Sequence, residues 1–394
     1  MPASPAKPLR IALVAGEASG DLLGGLLLDG LKARWPDAQF VGIGGAQMQR
    51  RGMQAWWPSE KLAVRGYIEV LRHYRELVGI RNQLKARLLN ERPDIFIGID
   101  APDFNLDLEH DLKAAGIKTA HFVSPSIWAW RPERIEKIRS AVDHVLCIFP
   151  FEKKLYDGAG ISATYVGHPL APVIPLEPDK AVARTKLGLQ ISDVVVALLP
   201  GSRADEVKYL ISRYFEALAL IKHKKFAIKF IVPCVPSLKA SIERAAQQCG
   251  VADQVQLLDG QSHAALAACD VALVASGTAT LEAALFKRPM VIAYNMHWAS
   301  WLIMRRKKLQ PWVGLPNILS GEFVVPELLQ GAATPQALAD AVLAWLDSPE
   351  KIRALQQRFT ALHQELLRDT PQLASQAIAQ VVSHATPAQV IASA

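Results

Sequence analysis

The stretch Val271-Ala272-Leu273-Val274-Ala275, followed at once by Ser276-Gly277-Thr278-Ala279-Thr280-Leu281-Glu282, decides the fold. A short, wholly apolar run suits a strand covered on both faces. The small residues after it suit a tight turn, and the residues from Thr278 onward suit the first turn of a helix. Strand, turn and helix in this order make a nucleotide-diphosphate site: the free N–H groups of a helix start receive the pyrophosphate, and a carboxylate one turn in, Glu282, accepts hydrogen bonds from ribose hydroxyls. An ordinary capped helix in an α/β protein would use the same residues, so the rest of the chain has to choose.

Working outward, the same alternation recurs. Ile11–Ala15, Phe40–Ile43, Ile95–Ile99, Thr119–Val123, Val145–Phe149 and Thr164–Val166 have strand character, with helix-like segments such as Leu22–Arg34 and Arg81–Asn90 between them. Prolines 169, 172, 175 and 178 then interrupt regular structure. After them the alternation restarts with Val194–Leu199, Ala227–Val232, Val255–Leu258, Val271–Ala275 and Met290–Ala293. The expected class is α/β, with two doubly wound Rossmann-like domains facing a cleft: residues 1–170, residues 171–335 and a helical tail, 336–394, returning toward the first domain.

Bulk composition bounds the partners. Lys and Arg number 44 against 37 acidic residues, a net charge of +7, which favours anionic ligands or anionic surfaces. Apolar residues make up 51% of the 394, enough for large cores. Cys147, Cys234, Cys249 and Cys269 lack CxxC spacing and sit in or beside apolar runs, which predicts reduced core thiols in a cytosolic protein. The apolar run at Ile11 is too short for a signal-peptide core, and no stretch reaches the roughly 18 apolar residues of a membrane-spanning helix.

The remaining strand ends supply candidate chemistry. The first is followed by Gly16-Glu17-Ala18-Ser19-Gly20-Asp21, where Ser19 is placed to cap the next helix; this is no GxGxxG fingerprint, and a nicotinamide cofactor is not expected. The strand Ile95–Ile99 delivers Asp100, ahead of a proline expected to delay the next helix. Asp100 is a candidate general base, and equally a carboxylate that orders its own loop. The second domain opens on Pro200-Gly201-Ser202-Arg203, a glycine turn with a guanidinium suited to a diphosphate, where a surface ion pair is the plainer reading of Arg203. No Asp-x-Asp pair accompanies either strand set, so no metal and no cofactor is expected. His168, before Pro169, suits an ordered turn.

Taken together, Gly16–Asp21 (GEASGD), Gly98–Asn105 (GIDAPDFN), Ser124–Trp130 (SPSIWAW), Gly167–Leu170 (GHPL), Pro200–Arg203 (PGSR), Ser276–Glu282 (SGTATLE) and Gly314–Leu319 (GLPNIL) resemble the lipid-A-disaccharide synthase family, in order over about residues 10–330. The resemblance implies an inverting GT-B glycosyltransferase that moves 2,3-diacylglucosamine from UDP to 2,3-diacylglucosamine 1-phosphate. It implies activity dependent on Asp100, a functional set that includes Arg203, Glu282 and Asn317, no nucleic-acid partner and a place on the cytoplasmic face of the inner membrane of a Gram-negative bacterium. Glu17, Ser19, Gly201, Ser202, Ser276, Gly277 and Thr278 complete the expected site.

Acylated substrates demand a docking face on an anionic membrane. In Leu62–Ile80, Tyr67, Leu71, Tyr74 and Val78 share one helical face near Arg65, Arg72, Arg75 and Arg81. In Trp298–Trp312, three tryptophans flank Arg305, Arg306, Lys307 and Lys308. An amphipathic helix packed on the core is the competing explanation for the first. The tail could exchange between subunits of a homodimer. A UDP-sugar 2-epimerase and a non-catalytic nucleotide-sensing module stay open as alternatives: the first needs no acylated-acceptor surface, the second no Asp100.

Overall fold

The computed structural model describes residues 8–62, 67–225 and 227–383. The chain divides into two compact units, one formed by residues up to Pro169 together with those from Leu366 onward, the other by Leu170–Glu365.

In the first unit the strands are β1 (Arg10–Ala15), β2 (Gln39–Ile43), β3 (Gln54–Trp57), β4 (Ile95–Ile99), β5 (Lys118–Phe122), β6 (His144–Cys147) and β7 (Ala163–Tyr165). They pair in the order β3-β2-β1-β4-β5-β6-β7, all parallel. Ile11–Ala15 are completely buried, as expected of a central strand covered by helices on both faces. Chain order reverses between β1 and β4, whose carboxyl ends carry Gly16–Asp21 and Asp100. This is where parallel α/β sheets open a crevice for ligands.

The second unit repeats the plan with β8 (Val194–Leu199), β9 (Ile228–Cys234), β10 (Val255–Asp259), β11 (Val271–Ala275), β12 (Met290–Tyr294) and β13 (Glu327–Leu329). Their order is β10-β9-β8-β11-β12-β13, again parallel. Here the reversal lies between β8 and β11, with Val274 opposite Leu199 in register. The turns that follow these two strands are the Gly201 and Gly277 turns, so one crevice receives both.

The expected tail, 336–394, is divided. The helix Pro335–Leu346 belongs to the second unit, where Leu338, Ala339 and Val342 join the core with Tyr214 and Phe215, and Trp345 Nε1 donates to the Met290 carbonyl (3.1 Å). The helix Pro349–Leu366 carries His363, which is buried; its Nε2 donates to the Ala171 carbonyl (2.8 Å) and its Nδ1 accepts from Lys287 Nζ (2.6 Å). Lys287 also donates to the Pro175 carbonyl (3.3 Å), so these contacts fasten the proline-rich segment to the second unit.

The described residues from Leu366 on return to the first unit. Thr370 Oγ1 donates to the Val166 carbonyl (2.8 Å), and the helix Thr370–Ser383 packs on the helix Ala18–Arg34. A Cβ on Gly30 would overlap the Pro371 carbonyl, so glycine permits this close helix crossing. Gly30→Ala should lower stability: alanine gains about 1 kcal/mol of helix propensity, while overpacking costs about 1–3 kcal/mol. An unchanged thermal unfolding midpoint would contradict the close crossing.

Candidate active site

The crevice of the second unit contains a cavity of about 450 Å³, within the size range of small-molecule sites. Leu199, Gly201, Ser202, Arg203 and Glu206 line it from the β8 side, and Ala275, Ser276, Gly277, Thr278, Ala279 and Glu282 from the β11 side. The structure therefore brings together every expected donor-binding residue: Gly201, Ser202, Arg203, Ser276, Gly277, Thr278 and Glu282.

The two sides differ in what they offer an anion. On the β8 side Gly201 turns the chain at φ 110°, and a Cβ there would come within 2.7 Å of Glu206 Cβ. Arg203 is the residue before the helix Ala204–Lys224. Glu206, three residues on, accepts from the backbone N–H groups of Ser202 (3.1 Å) and Arg203 (3.3 Å). Those two amides are thereby occupied, which departs from a glycine turn cradling phosphate through its backbone. What this side offers is the Arg203 guanidinium, 74% exposed and held, among the described residues, only by a long contact to Glu206 (3.4 Å). Sequence reasoning passed over Glu206, although its spacing from Arg203 is that of a capping box.

On the β11 side the helix Thr278–Leu285 begins at the cavity wall; the N–H groups of Thr278 and Ala279 have no intrahelical acceptor, whereas that of Thr280 donates to the Gly277 carbonyl (3.1 Å). Thr280, fully buried, donates through Oγ1 to the Gly277 carbonyl (2.7 Å) and accepts from Leu315 N–H (3.3 Å). Ser276 Oγ donates to the Val313 carbonyl (3.4 Å). Glu282 lies one turn in, with His263 Nε2 3.8 Å from its Oε1. That carboxylate raises the His263 pKa above the usual histidine value. Tyr294 and Cys234 are also part of the wall; burial raises both of their pKa values.

Asn317, expected in the functional set with no assigned role, is not among the residues lining the cavity. It is fully buried, donates to the Val325 carbonyl (2.9 Å) and Glu327 Oε1 (2.8 Å), and accepts from the N–H groups of Val324 (2.8 Å) and Val325 (3.0 Å). Glu327 in turn accepts from Val313 N–H (2.9 Å) and Gly314 N–H (2.9 Å). Asn317 thus holds the loop against which Ser276 and Thr280 rest, with its own hydrogen-bonding capacity used up.

In the first unit, Asp100 ends β4 as expected, half-buried, with no ion pair to its carboxylate among the described residues. Its backbone is unusual: φ is 54° at Asp100 and 44° at Ala101. Pro102 does not delay the helix but begins it, as the first residue of Pro102–Ala114, where its missing N–H costs nothing.

The Gly16–Asp21 turn also departs from expectation. Glu17, not Ser19, precedes the helix Ala18–Arg34, and its carbonyl accepts from Asp21 N–H (2.8 Å); Ser19 lies inside the helix and is exposed. Asp21 is buried and accepts from Gln47 (2.8 Å) and Met48 (3.0 Å) N–H, capping the helix Ala46–Arg50. Ordering of that helix accounts for the acid. His168 is buried and stacks on Phe149 (5.3 Å), and burial lowers its pKa to about 4. Trp128 of the SPSIWAW stretch donates to the buried Glu152 (3.0 Å), whose pKa burial raises to about 7.

Of the expected membrane-facing residues, the side chains of Tyr67, Leu71 and Tyr74 lie outside the described residues, and Val78 is partly buried on the helix Tyr67–Glu91. Among the described residues no helix is long and apolar enough to cross a membrane.

The architecture has known counterparts. A glycosyltransferase from Rickettsia africae matches at a TM-score of 0.59 and 11% identity, over 96% of this chain and 99% of its own. UDP-GlcNAc 2-epimerase from Neisseria meningitidis, solved bound to UDP-GlcNAc, matches at 0.61 and 11%, over 95% and 100%. Two parallel-sheet, Rossmann-like units with a ligand-sized crevice in the later one define the class: this is the GT-B fold. That fold alone does not separate transferase from epimerase, but sequence similarity does. The family model described as lipid-A-disaccharide synthetase matches residues 11–381. Lipid-A-disaccharide synthase of Albidiferax ferrireducens is 68% identical over 379 residues, 95% of this chain and 97% of that protein. The chain belongs to the lipid-A-disaccharide synthetase family and is a glycosyltransferase.

Proposed function

We propose that this chain transfers the 2,3-diacylglucosaminyl group of UDP-2,3-diacylglucosamine to the 6-hydroxyl of 2,3-diacylglucosamine 1-phosphate, forming a β-1,6 disaccharide and UDP. The observation that carries the reading is the crevice of the second unit, where an exposed guanidinium, a helix N-terminus and a carboxylate one turn in line one cavity. Arg203 and the first turn at Gly277–Ala279 hold the diphosphate, and Glu282 accepts from the ribose hydroxyls. Asp100 takes the proton of the acceptor hydroxyl as its oxygen attacks the anomeric carbon; the bond from that carbon to the phosphate oxygen breaks with inversion. The leaving diphosphate is stabilised by Arg203 and the helix N-terminus. The test is UDP release from the acylated UDP-sugar with and without the acylated acceptor. Release that requires the acceptor is the expected result; epimerisation of a soluble UDP-sugar with no release would replace the proposal.

Acylated substrates also require a membrane surface, and we assign the protein to the periphery of an anionic one. Two features support this: the basic helix Tyr67–Glu91, and exposed Leu302 and Leu309 in one stretch with exposed Arg305, Arg306 and Lys307. Changing Leu71 and Val78 to Ser should weaken co-sedimentation with anionic liposomes severalfold. Unchanged co-sedimentation removes the first helix from the docking face.

A further inference from the structure

We infer that Asn105, Glu109 and His121 form a buried network that positions Asp100, an inference that rests on the reading of Asp100 as the base. Asp100 and Ala101 are consecutive non-glycine residues with left-handed backbone, φ 54° and 44°. Such conformations are costly and persist only where their surroundings over-determine them. The surroundings here are specific. Asn105 is fully buried; its Nδ2 donates to the Asp100 carbonyl (2.8 Å), and its backbone N–H donates to the Ala101 carbonyl (3.0 Å). Both strained residues are thus held by one side chain and its own amide.

Behind Asn105, one helical turn further, Glu109 is completely buried and meets His121 Nδ1 through Oε1 (2.8 Å), with His121 also completely buried. His121 stands on β5 directly opposite Gly98 of β4. A Cβ on Gly98 would overlap Glu109 Oε1 and lie 2.8 Å from Asn105 Cβ, so the glycine two residues before Asp100 makes room for this network. The i, i+4 spacing of Asn105 and Glu109 stacks them on one helix face against that gap.

The cluster is poorly suited to a purely stabilising role. Asn105 Oδ1, Glu109 Oε2 and His121 Nε2 are buried without a hydrogen-bond partner among the described residues. Orphaned buried polar atoms destabilise, and well-packed apolar residues of similar size would hold the sheet and helix together at least as well. A concentration of such atoms beneath a strained aspartate is accounted for if the network fixes where the Asp100 carboxylate points.

The test uses the full chain, with Glu109→Gln and Asn105→Ser each made alone and in the Asp100→Asn background. UDP affinity by calorimetry and steady-state UDP release with both acylated substrates are read together. Glu109→Gln should leave UDP affinity and donor KM unchanged and lower kcat about 10- to 100-fold, the cost of a small misplacement of a reacting group. In the Asp100→Asn background the same change should do almost nothing, because it acts through Asp100. If Glu109→Gln fails to fold, Asn105→Ser, which removes the amide donor to the Asp100 carbonyl, decides the matter by the same comparison. Unchanged kcat, or an equal loss in both backgrounds, overturns the network. Normal turnover of Asp100→Asn alone overturns the base assignment instead.

Discussion

Asp100→Asn should bind UDP as tightly as the native chain and turn over about 10² to 10⁴ times more slowly, the range of a lost general base. The substitution keeps the volume and the strained backbone, since asparagine tolerates the left-handed region better than most residues. The hydrogen bond from Asn105 ends on the Asp100 carbonyl, not on its carboxylate, and the new side chain leaves it untouched. Nor does the change break an ion pair among the described residues. What is lost is a proton acceptor beside the attacking hydroxyl. UDP affinity should stay constant because the residues proposed to bind it lie in the other compact unit. Calorimetry paired with the UDP-release assay separates the two quantities, and normal turnover would falsify the assignment.

Arg203→Ala should weaken UDP binding about 10- to 100-fold, since a charge-assisted hydrogen bond contributes roughly 1.5–3 kcal/mol and about 1.4 kcal/mol is a factor of ten. The guanidinium is 74% exposed and, among the described residues, makes only a 3.4 Å contact, so stability should hardly change. The neighbouring amides cannot substitute for it, because Glu206 already occupies those of Ser202 and Arg203. Arg203→Lys should recover part of the affinity, keeping the charge but losing the two-pronged geometry. Isothermal titration with UDP measures all three forms. Wild-type affinity in the alanine variant would move the diphosphate elsewhere in the crevice.

The central strands were legible because a parallel sheet covered on both faces writes itself as unbroken apolar runs. Ile11–Ala15, Ile95–Ile99 and Val271–Ala275 need no other signal. The edge strands were not. Gln54–Trp57 and Glu327–Leu329 are short, partly buried and begin on polar residues, so neither run stood out. β9 extends to Cys234 although Pro233 ended the expected strand; its last pairing to β8 is at Ile231, and only β10 lies alongside Pro233.

The candidate site was legible where one turn carries its own chemistry, and obscure where the chemistry depends on a distant partner. Gly201, Gly277 and Glu282, which line the cavity, stood out because each lies in the segment that follows a strand end. Asp21 had no assigned role until the helix Ala46–Arg50 supplied the N–H groups it caps, and nothing in the spacing from Asp21 to Met48 announces that contact. Asn317 is similar: its partners Val324, Val325 and Glu327 come from a loop whose path the sequence does not fix. The split of the tail depends on His363 and Thr370 meeting carbonyl groups 192 and 204 residues earlier, at Ala171 and Val166, a pairing that no local pattern encodes.

The most direct measurement is a crystal structure of the chain soaked with UDP. Its diphosphate is expected within hydrogen-bonding reach of the Arg203 guanidinium and the N–H groups of Gly277–Ala279, with the ribose hydroxyls on Glu282. A nucleotide lodged instead at the carboxyl ends of β1 and β4, beside Gly16–Asp21, would contradict the account.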